Sequence, residues 1–272
     1  MKINPDLQNP DLLSDSFRLA FDDPSLMLRD EARGIRLQLE SLKADIVQAQ
    51  YGINHTVVVF GSARFVSQEA AKALLVQAKE LNDARMQTRA ELALKNASYY
   101  EAAREFAHLV AQACANRSAQ DRFTICTGGG PGIMEAANRG AQEAGVESVA
   151  LNIALPNEQM PNPYVSPHLN FKFHYFAIRK MHFMLRAKAL IVFPGGFGTL
   201  DELFEMLTLI QTHKAHQVPV LLFGRDYWQK TIHFEAMCEQ GTITEQDMAC
   251  FQYVETPAQA WEAIQSFYKK PH

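Results

Sequence analysis

The chain has 272 residues, 47% of them hydrophobic and 21% charged, with a net charge of −4 at neutral pH. That length suffices for one large α/β domain or two small ones with a substantial core. The charge balance excludes broad electrostatic attraction to nucleic acid or to an anionic membrane. No run approaches the roughly 18 apolar residues that a membrane-spanning helix requires. The first residues, rich in Asn, Asp and Pro, hold no apolar stretch of the kind a Sec signal needs. Cys114, Cys126, Cys238 and Cys250 are widely spaced with no CxxC pair, as expected for reduced thiols in a cytoplasmic protein.

Residues 25–50 read as a helix, because Ile35, Leu39, Leu42 and Ile46 recur at spacings of three and four. One amphipathic helix cannot bury its stripe alone, so its partner is expected in the main domain or in a second subunit. The chain therefore divides into an extension, 1–53, and a main domain, 54–272. From Thr56 strands and helices alternate. Thr56-Val57-Val58-Val59-Phe60 is a β-branched run that ends in Gly61-Ser62-Ala63-Arg64, and a helix is predicted over 67–81. Residues 83–97 are polar and helix-compatible, and a further helix is predicted over 98–116. A strand over 123–126 ends in Thr127-Gly128-Gly129-Gly130-Pro131-Gly132, followed by a helix over 133–144 and a strand over 148–153. A loop containing Pro156, Asn157, Pro161, Asn162, Pro163 and Pro167 leads to a strand over 171–173, a helix over 177–187 and a strand over 189–193. A glycine turn and a helix follow, then a strand over 219–223, a helix near 227–240, a strand over 251–254 and a closing helix over 257–269. Repeated βα units with almost wholly apolar strands predict an α/β, doubly wound, mostly parallel sheet with helices on both faces. In such sheets ligands sit outside the carboxyl ends of the strands, where all three glycine turns lie.

The most informative segment is Pro194-Gly195-Gly196-Phe197-Gly198-Thr199-Leu200-Asp201-Glu202, between a predicted strand and a predicted helix. Its glycines permit close backbone approach, and the helix start offers unpaired N–H groups and the positive end of the macrodipole, a combination suited to a phosphate. The Lys of a GxxxxGK[ST] loop is absent, so an NTP-hydrolysing loop does not match. Glu202 lies about one turn beyond the glycines. The helix dipole alone accounts for acids at Asp201 and Glu205, and the same competition applies to Glu135 after the GGGPG turn. That turn has Ile133 where a GxGxxG dinucleotide fingerprint needs Gly, and no ribose-binding acid follows the next strand, where Asn152 lies. Arg179 and Lys180 stand among Phe173, Tyr175, Phe176, Met181 and Phe183, an apolar setting for a solvated basic pair. A nearby oxyanion would account for Arg179, whose planar fork binds such groups bidentately. The histidines show no metal-ligand spacing, and no metal or cofactor is expected.

Gly61-Ser62-Ala63-Arg64, the GGGPGIMEA run from Gly128 to Ala136, Arg179-Lys180 and PGGFGTLDE from Pro194 to Glu202, in that order, resemble the LOG (Lonely Guy) family, long labelled "possible lysine decarboxylase". The resemblance covers roughly residues 54–255, and the extension and the stretch 83–97 resemble the longer bacterial members. It implies a Rossmann-like, usually dimeric enzyme that hydrolyses nucleoside 5′-monophosphates to a free base and ribose 5-phosphate. By motif position, Arg179 and Glu202 match the family's catalytic pair, with Arg179 either orienting Glu202 or contacting the nucleotide. Gly195, Gly196, Gly198 and Thr199 match the phosphate turn, and Gly129, Gly130 and Glu135 the second nucleotide-contacting segment. Gly61, Ser62 and Lys180 complete the expected substrate-binding set. The expected partner is a nucleoside monophosphate such as AMP, GMP or a cytokinin riboside monophosphate, with a homodimer or higher homo-oligomer as the assembly. A binding module of related fold, carrying a nucleotide or the molybdenum cofactor without cleaving it, would need the glycines but not the Arg179–Glu202 pair. No Schiff-base Lys with a pyridinium partner supports the decarboxylase label.

Overall fold

The computed structural model describes residues 15–156 and 160–269. Residues 1–14 of the extension, and Asn157 of the Pro/Asn loop, lie outside the described residues. Seven strands form one parallel sheet: β1 (His55–Phe60), β2 (Phe123–Thr127), β3 (Val149–Ile153), β4 (Asn170–Phe173), β5 (Ala187–Val192), β6 (Val220–Phe223) and β7 (Gln252–Val254). Their spatial order is β4-β3-β2-β1-β5-β6-β7. The chain thus builds outward from β1 on one side, then returns to β1 and builds outward on the other. The reversal lies between β1 and β5, which pair in register from Val57 with Ala189 to Phe60 with Val192. The fold is α/β and Rossmann-like, and every strand pair is parallel.

Successive side chains of a strand point to opposite faces, so a sheet covered on both sides needs apolar residues at every position. In β1, Val57 and Val59 enter one buried cluster and Val58 and Phe60 the other. Preceding the sheet are α1 (Pro24–Met27), capped by the Asp23 carboxylate accepting from the Ser25 and Leu26 amides, and α2 (Arg33–Gln50). Following β1 are α3 (Gln68–Glu80) and α4 (Ala84–Cys114), and α5 (Ile133–Glu143) follows β2. Then come α6 (Phe176–Leu185), α7 (Phe197–Gln211), α8 (Arg225–Thr231), α9 (Phe234–Glu239) and α10 (Pro257–Lys269). The first face is covered by α4, α5 and α10, through Phe106, Ile133 and Trp261 among others. The second is covered by α2, α6, α7, α8 and α9, through Ala44, Phe183, Leu203, Trp228 and Phe234. Among the described residues no helix is long and apolar enough to cross a membrane.

Two elements differ from the expectation, and of the two partners expected for the stripe of α2 the main domain is not the one. Residues 83–97 do not form a separate segment: Asp83 caps a single 31-residue helix that continues to Cys114 with no Gly or Pro to interrupt it. The helix expected near 227–240 is two, separated by extended backbone at Ile232 (φ −135°, ψ 123°). The stripe of α2 is not covered by the main domain: Ile35, Leu39, Leu42 and Ile46 are 46–53% exposed. The helix packs instead by the face of Ala44 and Gln48, both buried. Polar contacts fix that choice. Arg186 donates to the Asp45 carboxylate at 2.8 Å, and the Glu40 carboxylate accepts from the backbone amides of His174 and Tyr175.

α4 and α5 approach each other closely at Gly140. Gly140 lies against the α4 backbone, where a Cβ would press into the Arg104 carbonyl. A Gly→Ala change inside a helix ordinarily stabilises by about 1 kcal/mol. Here the overpacking cost of about 1–3 kcal/mol prevails. Gly140→Ala is therefore expected to lower the urea midpoint at unchanged m-value; an unchanged or raised midpoint would contradict the close approach.

Candidate active site

The three glycine turns meet at the carboxyl edge of β1, β2 and β5, and the turn after β1 ties them together. The Ser62 amide donates to the Pro194 carbonyl at 3.0 Å, and the Ser62 carbonyl accepts the Ile133 amide, the first of α5, at 3.1 Å. Gly132 permits this contact. Its φ is +75°, and a Cβ there would drive into the Ser62 carbonyl. Gly61 and Ser62 thus lie at the centre of the site.

The second turn is held from behind. The Gly129 amide donates to Thr127 Oγ1 at 3.0 Å, and Thr127 Oγ1 donates to Asn138 Oδ1 at 2.7 Å. Asn162, 5% exposed, donates through Nδ2 to the carbonyls of Gly129 and Gly130 and to Asn138 Oδ1. Its own amide donates to the Gly129 carbonyl at 2.9 Å, and Asn138 Nδ2 donates to Ser148 Oγ. Glu135, one turn along α5, accepts from the hydroxyl of buried Tyr100 at 2.8 Å. Burial and that bond to Glu135 hold the Tyr100 phenol well above its ordinary pKa.

In the third turn Gly195 sits against Thr199, which is buried, and the Gly195 carbonyl accepts from the Tyr227 hydroxyl at 2.6 Å. A Cβ at Gly196 or Gly198 would meet nothing within 4 Å, so both glycines border open space. Gly196 caps α7, leaving the first-turn N–H groups of that helix to face it.

Glu202 lies in the second turn of α7 and is 5% exposed. Among the described residues its Oε2 has no hydrogen-bond donor. Arg179 Nη1 stands 4.0 Å from Oε1, a Coulombic contact too long for a hydrogen bond. Burial pushes the Glu202 carboxyl up to about 7, with Arg179 and then Lys180 opposing the rise. Arg179 reaches from α6 to this position because its Nε is taken by the Leu151 carbonyl at 2.8 Å and its guanidinium lies over Phe183, 5.1 Å from the ring centre. Its Nη2 lies so close to Gly128 that a Cβ there would approach to 2.8 Å. Burial draws the Arg179 pKa down, against the pull of Glu202, but a guanidinium stays charged at neutral pH. The cation thus stands between the second glycine turn and the acid of the third.

Lys180 is drawn elsewhere: its ammonium donates to Asp201 at 3.0 Å and lies 2.9 Å from Glu205, tying α6 to α7. Of the aromatic residues between 171 and 175, Phe171 and Phe173 are core residues, and the Tyr175 hydroxyl accepts from Arg36. Sequence reasoning missed Tyr227, Tyr100 and Asn138, and it gave Asn162 no role beyond the loop that holds it.

A family model described as "Possible lysine decarboxylase" matches residues 134–264, a stretch containing Glu135, Arg179 and the third glycine turn. The chain is 30% identical over 132 residues to the pyrimidine/purine nucleotide 5′-monophosphate nucleosidase of Escherichia coli (strain K12), covering 43% of this chain and 28% of that protein. The corresponding protein of Escherichia coli O157:H7 matches with the same values. The chain thus spans less than a third of the length of these curated relatives. Among solved structures, the molybdenum cofactor binding protein of Rippkaea orientalis superposes with a TM-score of 0.49 at 18% identity, covering 79% of this chain and 98% of that one. The molybdenum cofactor carrier protein of Chlamydomonas reinhardtii gives 0.46 at 19% identity, covering 80% and 99%.

Two titrations test the electrostatics of Glu202. Its carboxyl carbon, followed by NMR, is expected to titrate near pH 7, and in Arg179→Gln at higher pH, because the opposing cation is gone. A midpoint near 4.5, the ordinary value, would contradict its burial. The folded pKa lies above the unfolded one, so the folded protein holds the extra proton between them. Wild-type stability should therefore fall relative to Glu202→Gln as pH rises from about 4.5 to about 7, then level off.

Proposed function

We propose that the chain is a member of the LOG family and that it hydrolyses the N-glycosidic bond of a nucleoside 5′-monophosphate, yielding a free base and ribose 5-phosphate. Glu202 carries the reading: a buried carboxyl with one oxygen lacking a donor among the described residues, a turn beyond a phosphate-suited glycine turn and 4.0 Å from an arginine. A carrier protein needs the glycines alone. The Escherichia coli relative is named for nucleotide 5′-monophosphates of both base classes, which supports the substrate class.

In this reading the 5′-phosphate lies at the N-terminus of α7, where Gly196 and Gly198 leave room for it. It contributes orientation and remote binding energy. The ribose C1′ then lies near Glu202. As the bond from C1′ to the base nitrogen lengthens, its electron pair leaves with the base and positive charge gathers on the sugar. The Glu202 carboxylate stabilises that charge and directs water to C1′, taking a proton as the oxygen bonds. A carboxyl titrating near 7 suits such proton traffic at neutral pH. Arg179 keeps Glu202 partly ionised in its buried setting, and its guanidinium edge reaches toward the nucleotide from the second turn. Lys180, already paired with Asp201 and Glu205, is ill-suited to be the free amine of a decarboxylase Schiff base.

Incubation with AMP, GMP, IMP and CMP, with chromatography for free base, tests the proposal. Base release is expected from at least one nucleotide, with kcat falling about 100-fold or more in Glu202→Gln, the scale of removing one acid–base group. Binding without release would favour a carrier, and near-normal turnover in the variant would remove Glu202 from the mechanism.

A further inference from the structure

The two ligand-facing glycine turns share a feature that neither the motifs nor the family match describes. In each, a glycine carbonyl that precedes a ligand-facing N–H is pinned by a side chain from a distant segment. The Gly195 carbonyl accepts from the Tyr227 hydroxyl at 2.6 Å. The Gly129 carbonyl accepts from both the backbone amide of Asn162 and its Nδ2. A trans peptide is planar, and its C=O points opposite to the N–H of the following residue. Pinning Gly195 O therefore sets the direction of the Gly196 N–H, and pinning Gly129 O that of the Gly130 N–H.

The sheet order gives those directions a meaning. Tyr227 belongs to α8, which follows β6, and β6 lies on the side of β5 away from β1. Asn162 belongs to the connection between β3 and β4, and β3 lies on the side of β2 away from β1. The two carbonyls are thus held from segments on opposite flanks of the sheet, an arrangement in which the paired N–H groups would turn inward, toward the crevice between β1 and β5. We propose that Tyr227 and Asn162 are positioning residues that aim the backbone N–H groups of Gly196 and Gly130 at the bound nucleotide, with Tyr227 setting the phosphate-facing one.

Both side chains are themselves held. Tyr227 meets Trp228 edge-on at 5.1 Å, and buried Trp228 donates through Nε1 to the Phe223 carbonyl at 3.0 Å. Asn162 Oδ1 accepts the Tyr164 amide, and its Nδ2 also meets Asn138, fixed in turn by Thr127 and Ser148. A tyrosine that merely filled space in α8 would not need a hydroxyl against a glycine carbonyl of the neighbouring turn.

The inference rests on the nucleotide reading, and the test separates the two. Calorimetric titration of AMP and of inorganic phosphate is run on the wild type, Tyr227→Phe and Asn162→Ala, alongside thermal melting and base-release kinetics. Tyr227→Phe removes one hydroxyl and leaves the ring in place. Its Kd for phosphate and for AMP is expected to rise by a common factor of about ten, the scale of one hydrogen bond. KM should rise with them while kcat stays within about threefold, and the melting temperature should move little. Asn162→Ala is expected to weaken AMP binding by at least as much. Unchanged affinities in a folded Tyr227→Phe overturn the positioning role, as does loss of kcat at unchanged KM. A wild type that binds AMP but releases no base counts against hydrolysis alone and leaves the Kd comparison decisive. A wild type that binds neither AMP nor phosphate overturns both.

Discussion

The site depends on the backbone of one residue, Ser62. Its N–H reaches the Pro194 carbonyl and its C=O takes the first amide of α5, so the turn after β1 fixes the turns after β5 and β2 relative to each other. The contact exists because the sheet reverses direction between β1 and β5, the place where an open α/β sheet leaves a crevice. It is permitted because position 132 is Gly, with no side chain to strike the Ser62 carbonyl. Two bonds of about 3 Å thus determine whether the N-termini of α5 and α7 face a common volume. Arg179 spans that volume from the third side, anchored on β3 at Leu151.

The electrostatics follow from the packing. Glu202 is buried because α7 inserts Leu203 and Met206 into the second-face core, and the residue preceding them on the helix is carried to the core's upper rim. A carboxylate there lacks water, which raises its pKa. The arginine 4.0 Å away is too far to donate and close enough to oppose the rise. The result is an acid near the midpoint of its titration at neutral pH, with a cation held beside it. The Lys180–Asp201–Glu205 cluster holds the lysine in ion pairs with the other acids at the helix start, so Lys180 acts on Glu202 only at a distance.

What the sequence disclosed follows the range of the interactions involved. The strands, the three glycine turns and the position of Glu202 were legible, because apolar runs, turn glycines and helical spacing are local signals. The α/β class followed from their alternation, although two neighbouring helical stretches proved to be one helix, α4. Tyr227 and Asn162 were not legible as clamps, since each meets its glycine carbonyl across more than thirty residues of chain. Lys180 was read with Arg179 because the two are adjacent, yet neighbours on a helix point about 100° apart. That turn carries one to the glycine loop and the other to the acids of α7. The stripe of α2 was legible as a stripe, but its burial was decided by Asp45 and Glu40 meeting Arg186 and the amides of residues 174 and 175.

The central claim is that the phosphate is an anchor and the glycosidic bond the reacting centre. Phosphorus NMR of AMP mixed with the protein tests it most directly. The account predicts that the AMP resonance is replaced by that of ribose 5-phosphate, with adenine appearing in step and no inorganic phosphate. Appearance of inorganic phosphate with adenosine, or an AMP resonance that shifts on binding and is never consumed, would contradict it.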